Sequence, residues 1–260
     1  MKKVSLFIVI ITVITLLALS LTSCQISYSY DDALKYTAGG AAISAPVTDI
    51  EIDWLTCKVE IEQYDGDEIV FKDESEHEIR EDEQLHYYLD GTTLKIKYAK
   101  SGVIRIKNEY KTLVLMMPRQ GAYDIEVNTV SASVYVNAPD MELKEMSVNT
   151  VSGNVEINSI IKDELSVEAV SGDVSVKTSG SLNPCEIETV SGNVKFELPS
   201  DTSFVVEYNT VSGSIENDFQ ATQKGNQLIY AAGVGSTTTY IEVDTVSGNI
   251  TLKAQNSDRE

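Results

Sequence analysis

One short phrase recurs along this 260-residue chain and limits what it can fold into more than any other feature. Thr129-Val130-Ser131-Ala132, Thr150-Val151-Ser152-Gly153, Ala169-Val170-Ser171-Gly172, Thr189-Val190-Ser191-Gly192, Thr210-Val211-Ser212-Gly213 and Thr245-Val246-Ser247-Gly248 are six copies, 21, 19, 20, 21 and 35 residues apart. A degenerate seventh stands at Trp54-Leu55-Thr56-Cys57. Aligned, the copies show a period of two, the mark of a strand with one buried face. Four residues before the Thr position stand Ile50, Ile125, Met146, Leu165, Cys185, Val206 and Ile241; two before it stand Ile52, Val127, Val148, Val167, Ile187, Tyr208 and Val243. These columns face inward. The columns between them, such as Glu51, Glu126, Glu186, Glu207 and Glu242, or Asp53, Asn128, Asn149, Glu168, Glu188, Asn209 and Asp244, face solvent. Apolar residues resume after the phrase at Val59, Val134, Val155, Val174, Val194, Ile215 and Ile250. Each unit is therefore strand, bend, strand.

The bend pairs Gly with Asn, Asp or Ser, as in Gly153-Asn154 and Gly172-Asp173. This chemistry serves a residue that must take a positive φ or lack a Cβ. Thr and Ser fall in the inward phase, where stacked hydroxyls about 4.8 Å apart can hydrogen-bond. The Val between them breaks the alternation, and the pattern assigns it no direction.

A unit of about 20 residues with two short strands cannot bury its apolar face alone, so neighbouring units must stack. A meander of hairpins would pair consecutive strands; a solenoid pairs equivalent columns of successive coils. Near-identical columns favour the second, because same-on-same stacking rewards repetition. The expected fold is all-β, a single-stranded parallel β-solenoid of about 20-residue coils. The 35-residue spacing adds a segment at 217–236, punctuated by Gly225-Asn226 and Gly233-Val234-Gly235, which reads as a protruding hairpin or loop.

The chain begins with Lys2 and Lys3, an apolar run from Val4 to Leu21, and Leu21-Thr22-Ser23-Cys24, a pattern that resembles a bacterial lipobox. Residues 1–23 are expected to be a lipoprotein signal peptide, with Cys24 lipidated as the first mature residue. Two acyl chains anchor stably, at about 0.8 kcal/mol per buried CH₂. The alternative is an uncleaved anchor. Either places the protein outside the cytoplasm and at a membrane. Residues 24–45, with Gly39-Gly40, are expected to be a tether. Two cysteines remain in a compartment that permits disulfides. Cys185 lies in an inward column and Cys57 at a bend several units earlier, too far apart to bridge if the copies stack in order. Cys185 is then a core residue, and Cys57 a thiol outside any disulfide.

Residues 46–108 form an N-terminal β region whose segment 60–90 holds thirteen acids against Lys72 and Arg80. Asp73 to Gln84 reads as an exposed loop, with Asp90-Gly91 a hairpin turn. Lys95, Lys97, Lys100, Arg105, Lys107 and Lys111 follow, explained most simply by charge balance within the chain. Overall, 40 Asp and Glu stand against 20 Lys and Arg, a net charge of -20 that argues against a nucleic-acid partner. His77 and His86 are the two histidines, with no nucleophile motif near them. The stacked Glu186, Glu207 and Glu242 could present oxygens to Ca²⁺, but no EF-hand or glycine-rich nonapeptide pattern accompanies them, so a solvated acidic face is the simpler reading. No catalytic residue, cofactor site or metal site is assigned. A polysaccharide lyase or hydrolase is the enzyme alternative, weakened because bases do not align in columns of the repeat.

Repeated Thr-Val-Ser-Gly-Asn/Asp-Val, the Leu113-Val114-Leu115-Met116-Met117-Pro118 strand, the Ile50-Glu51-Ile52-Asp53-Trp54 unit and Gly233-Val234-Gly235 together resemble the adhesin-like DUF4097 family over about residues 46–254. The resemblance implies a right-handed β-solenoid in bacterial envelope or surface proteins, some relatives being linked to envelope stress, and supplies no catalytic site. Ala132 in place of Gly, and the missing Ser-Gly of the Trp54 unit, imply irregular or capping N-terminal coils. The expected organisation is thus signal, tether, N-terminal region, solenoid over 109–254 and a tail at 255–260. The expected function is that of a non-catalytic, membrane-anchored surface module that meets an envelope polymer or surface protein.

Overall fold

The structure, a computed structural model, describes residues 26–104, 111–180, 182–233 and 238–255. These residues form an all-β fold, with one 3-10 turn at Ala33–Lys35 and an open sheet of eighteen strands beside a small two-stranded one. The period of two becomes burial directly. Ile52, Val127, Val148, Val167, Ile187 and Val243 are wholly inaccessible, while the Glu and Asn columns between them are exposed or half-buried.

Equivalent columns of different units pair in parallel. Asp49–Tyr64 runs beside Tyr123–Ser152, with Ile50 opposite Ile125 and Val59 opposite Val134. Tyr123–Ser152 pairs in turn with Val155–Ser171, matching Met146 to Leu165 and Val148 to Val167. Val155–Ser171 then meets Cys185–Ser191, again column on column. Antiparallel pairing of consecutive strands is confined, among the described residues, to the two ends of the stack.

The stacking order departs from chain order at one place. Cys185–Ser191 pairs not with the next copy but with the last, Thr238–Ser247, setting Cys185 opposite Ile241. Ser203–Ser212 pairs with the other side of Thr238–Ser247, and Ile215–Asn217 with Ile250–Gln255. By bend residue the stack therefore runs Cys57, Ala132, Gly153, Gly172, Gly192, Gly248, Gly213. The longer spacing before the last copy supplies the chain length needed to place that unit beneath the one before. Its described part, residues 217–233, contains the expected hairpin, laid on the stack. Thr222–Lys224 and Gln227–Tyr230 form a hairpin that pairs antiparallel with Phe204–Glu207, and Phe219 and Tyr230 pack on the Phe204 ring at 5.0 and 5.4 Å.

The other end is closed by the N-terminal region. Trp54 occupies the Thr column, opposite Thr129, and is buried. Its indole N–H donates to the Lys111 carbonyl at 3.3 Å, and Tyr98 meets it edge-on at 4.9 Å. Residues 26–43, expected as a tether, are strapped to the body instead. Thr37–Ala38 pairs with His86–Asp90, Ala41–Ile43 with Ile69–Glu74, and the rings of Tyr28, Tyr30, Tyr36 and Tyr88 form a chain across the strap. The small residues act here as a close approach: Gly39 takes a φ of 89°, and a Cβ on Gly40 would lie 2.4 Å from the Phe71 carbonyl oxygen. No helix among the described residues is long and apolar enough to cross a membrane. Cys24 and the signal segment lie outside the described residues.

Candidate functional site

The bends of successive units align into one edge of the stack, where the repeated phrase is concentrated. Its glycines answer a crowding problem. A Cβ on Gly153 would lie 2.3 Å from the Ala132 carbonyl oxygen; on Gly172, 2.1 Å from that of Gly153; on Gly192, 2.0 Å from that of Gly172. The same holds for Gly248 over Gly192 at 1.9 Å and for Gly213 over Gly248 at 2.0 Å. Of these, only Gly153 and Gly172 have a positive φ. Lack of a Cβ, rather than freedom to take a left-handed conformation, is the shared requirement. At the head of the column Cys57 takes a φ of 72°, a different bend geometry, and Ala132 carries its methyl above it, buried.

The residue after each glycine has its own task. Its side-chain oxygen accepts the amide of its counterpart in the next unit: Asp173 N–H to Asn154 Oδ1 at 3.1 Å, Asn193 N–H to Asp173 Oδ1 at 2.8 Å, Asn249 N–H to Asn193 Oδ1 at 3.1 Å and Ser214 N–H to Asn249 Oδ1 at 3.1 Å. Ser133 Oγ begins the series by accepting from Asn154 N–H at 3.2 Å. This ladder, which sequence reasoning took for turn chemistry, satisfies amides that the bend takes out of the strand ladder. The periodic acceptor after the glycine was the available signal.

The hydroxyl ladder expected from Thr and Ser is largely replaced by it. The Thr side chains are inward, and Thr129 donates to Thr150 Oγ1 at 2.8 Å, but the hydroxyls of Thr189, Thr245 and Thr210 are buried without a hydrogen-bond partner. The phrase's serines are exposed, because Val and Ser both turn outward where the bend breaks the alternation. Val151, Val170, Val190 and Val246 are half-buried on that face, and Val211, at the end, is 81% exposed. Ser171, Ser191, Ser212 and Ser247, with Asn154, Asp173, Asn193 and Asn249, line an open polar groove of 620 Å³ that runs across the bends. It offers hydroxyl and amide groups with one carboxylate.

The outward face beside the groove is a second ladder with an acidic centre. Asn128 donates to Asp53 at 3.2 Å, Asn149 to Asn128 at 3.0 Å and, from the far end, Asn209 to Asp244 at 2.7 Å. Between them stand Glu168, Glu188 and Asp244, with Glu186, Glu242 and Glu207 in the next outward column. Partial burial, then repulsion from Glu168, Glu186, Asp244 and Glu242, pushes the Glu188 carboxyl up to about 7. Glu186, Glu207 and Glu242 are brought together, but with Glu242 between the other two, out of chain order. Among the described residues no group of three or more His, Cys, Asp and Glu side chains is disposed to hold a metal ion.

The basic run of the N-terminal region is distributed among acids of the chain. Lys95 lies 3.5 Å from Glu51, Lys97 pairs with Asp53, and Lys111 is buried 3.0 Å from Asp73. The Lys111 ammonium also donates to the carbonyls of Glu83 and Tyr98 and lies over the Tyr98 and Trp54 rings at 4.4 and 5.0 Å. Burial lowers its pKa to about 8, with Asp73 opposing the fall. Of the stretch read as a loop, Asp73 and Glu74 belong to the strand Ile69–Glu74; the rest is exposed or half-buried and is pinned at its base, where Asp73 also accepts the Leu85 amide at 2.8 Å. Arg105 and Lys107 lie outside the described residues. His77 is exposed, whereas His86 is buried with Nδ1 3.0 Å from the Gln84 carbonyl. Neither Cys57 nor Cys185 is in a disulfide, and Cys185 is a core residue whose thiol burial pushes its pKa up.

A stack of repeated strand-bend-strand units, with glycine at each bend from Gly153 onward, defines an all-β repeat protein. Residues 126–253, just under half of the chain, match the Toastrack DUF4097 family model. No curated protein matches the chain. Among solved structures, a "putative cell adhesion protein" from Clostridium sporogenes is similar over 85% of this chain and 100% of its own, with 14% identity and a TM-score of 0.54, a likeness of fold. A "putative adhesin" from Bacteroides fragilis covers 85% of this chain and 97% of its own at 10% identity and a TM-score of 0.42.

Proposed function

We propose that this protein is an exported lipoprotein, lipidated at Cys24 and facing outward from the bacterial cell membrane, whose stacked units form a non-catalytic interaction module of the cell envelope. In this reading the repeat body is one single-stranded, right-handed parallel β-solenoid of about 20-residue coils, and the bend-edge groove is its contact surface. The observation that carries the reading is the groove's uniformity. Three successive bends, at Gly172, Gly192 and Gly248, present the same Ser-Gly-Asn/Asp chemistry, which suits an extended partner held by many weak polar contacts better than a small substrate held at one reactive point. The adhesion named for the Clostridium sporogenes structure agrees with this use of the fold.

Binding of the purified full chain to envelope polymers and surface proteins tests the module, with sugar release measured in parallel. Saturable binding without turnover, weakened at least tenfold by S191R together with S247R in the groove, is the expected result. Catalytic release of reducing or unsaturated sugars would overturn it. Anchoring is tested separately by metabolic lipid labelling: C24A should abolish the label, and continued labelling would refute the lipidation assignment.

A further inference from the structure

The two ends of the stack are not equivalent. At the Trp54 end the edges finish in Thr37–Ala38 and Ala41–Ile43, strands of two and three residues held antiparallel. At the Gly213 end, half of the last unit is covered by the hairpin, up to Tyr208 N–H, which donates to the Asn226 carbonyl at 2.9 Å, and Asn209, whose side chain meets Asn226 at 3.4 Å. From Thr210 to Asn217 no described strand lies beyond it.

Every inner unit uses that same stretch to bind the unit above. The bend glycine and the residue two further on donate their amides upward: Gly172 to the Ser191 carbonyl at 3.1 Å and Val174 to that of Asn193 at 2.9 Å; Gly248 to that of Ser212 at 3.1 Å and Ile250 to that of Ser214 at 2.8 Å. In the last unit the corresponding donors are the amides of Gly213 and Ile215, which point past the end of the stack. Burial records the missing neighbour. Gly213 is exposed where Gly153, Gly172, Gly192 and Gly248 are half-buried, and Ile215 is half-exposed where Val155, Val174, Val194 and Ile250 are buried. The buried Asn217 Oδ1 has no hydrogen-bond partner at this edge.

We infer that residues 210–217 are a docking edge for an extended polypeptide segment that adds a further strand-bend-strand in parallel, with a glycine seated over Gly213. Strand addition supplies main-chain hydrogen bonds, and the bend supplies selectivity. At each glycine step the incoming residue has room only because it lacks a Cβ, which would lie 1.9–2.3 Å from the carbonyl oxygen below. The Gly213 carbonyl opens the next such step. Ser214 Oγ is an acceptor for the amide that follows the incoming glycine, the part Ser133 Oγ plays for Asn154 at the start of the series. Charge favours a base two residues further along. Glu216 stands exposed in the column that holds Lys195 and Thr251. A second copy of the chain is the poorer occupant: its described inner units are stacked on both sides, and it carries the same net charge of -20. The inference stands apart from the anchoring reading, since Cys24 takes no part; it shares Ser212 and Gly213 with the end of the groove, but its test reads main-chain amides and the incoming glycine, whereas the groove reading is tested at Ser191 and Ser247.

A fluorescein-labelled peptide of residues 188–198, which carries the phrase with Gly192 and Lys195, tests it by anisotropy titration against the full chain in detergent. Saturable binding is expected, at least tenfold weaker for the same peptide with Gly192→Ala. In the protein, I215P removes an amide that makes no hydrogen bond among the described residues; because Ile215 also packs on the core, urea unfolding is measured beside it, and peptide binding should fall at least tenfold under conditions where the variant is folded. V211K, on the exposed face beside it, should weaken binding without a proline. Equal affinity for the Gly and Ala peptides, or full binding by both protein variants, would overturn the inference. So would a dimer in sedimentation that I215P dissolves, because the edge would then already be taken by a second copy.

Discussion

Replacing Gly192 by Ala tests the central physical claim, that contact between bends and not backbone freedom fixes glycine in the repeat. The added methyl carbon would lie 2.0 Å from the Gly172 carbonyl oxygen and 2.8 Å from its carbon. Ordinary contact is about 3.4 Å, so the two units would have to part locally by more than an ångström, against a strand spacing of about 4.8 Å. The hydrogen bonds that bridge the same two units there are Gly172 N–H to Ser191 O at 3.1 Å, Val174 N–H to Asn193 O at 2.9 Å and Asn193 N–H to Asp173 Oδ1 at 2.8 Å. Stretching them so far breaks them, at about 1 kcal/mol each. Overpacking strain adds about 1–3 kcal/mol, and the stiffer unfolded chain returns about 0.4–1 kcal/mol. The expected net loss is about 3–5.5 kcal/mol, read as a lower urea midpoint with an unchanged slope. Gly225→Ala is the control for backbone freedom alone: φ is +65° and nothing lies within 4 Å, so it should cost about 1–2 kcal/mol. If Gly192→Ala loses no more than Gly225→Ala, the close-approach argument is wrong.

Three further outcomes follow from the electrostatics and the amide ladder. The Glu188 carboxyl is raised to about 7 in the folded protein from an ordinary 4.5, so its contribution is favourable at low pH and is lost as pH rises through about 7. Glu188→Gln should therefore stabilise by about 1 kcal/mol at pH 8, solvent screening having reduced the effect of a partly exposed group, and by nothing at pH 4; equal gains at both pH values would exclude the repulsion. Asp73→Asn leaves the buried Lys111 ammonium without its counter-charge and should cost about 3 kcal/mol in urea unfolding. Glu74→Gln, which breaks the exposed pair with Lys72, should stay within about 0.5 kcal/mol, and similar losses from both would refute the distinction. Asn193→Ala removes the acceptor of the Asn249 amide and should cost about 1 kcal/mol, whereas Asn193→Ser should recover most of it, as Ser133 does at the head of the ladder; failure of Ser to rescue would show that the side-chain amide acts otherwise.

The strand content and the inward columns were legible because burial on one face imposes a period of two that no other element shares. Ile52, Val127, Val148, Val167, Ile187 and Val243 carry that period without interruption. The bend was legible as a position but not as a mechanism. Gly followed by Asn reads equally well as a left-handed turn, and only distances across units separate it from a close approach. The outward turn of Ser after Val was hidden for a related reason, since alternation fails at a bend and nothing local restores the phase. The strap of residues 26–43 was misread because its Tyr residues are spaced irregularly. Tyr28, Tyr30 and Tyr36 find their partners across the outer face of the sheet, in Asp53, Ala99 and Tyr88, contacts that no periodicity encodes.

The order of the units is the part least accessible to pattern, and the reason lies in the repeat itself. If every inner unit offers a carbonyl above a glycine, an acceptor after it and apolar columns either side, any unit can stack on any other, and the phrase cannot choose. What discriminates are the residues that break the columns. The Gly213 unit carries Tyr208 where the others have Val or Ile, with a half-exposed ring whose hydroxyl accepts from the Gln223 side chain at 2.7 Å. It is followed at once by the Phe219 and hairpin aromatics that cover Phe204. Such a unit suits an end, because its aromatics need a cap that a plain unit above would displace. The Gly248 unit, with Ile241, Val243, Ile250 and Leu252 all buried, suits an interior place. Placing the last-synthesised unit inside the stack also means that two interfaces, one to the Gly192 unit and one to the Gly213 unit, depend on the final strands Thr238–Ser247 and Ile250–Gln255. In a stack bound only between neighbours, the end unit and its hairpin cannot join the rest until those strands are in place. The docking edge at residues 210–217 therefore comes into being with the completion of the fold, not before it.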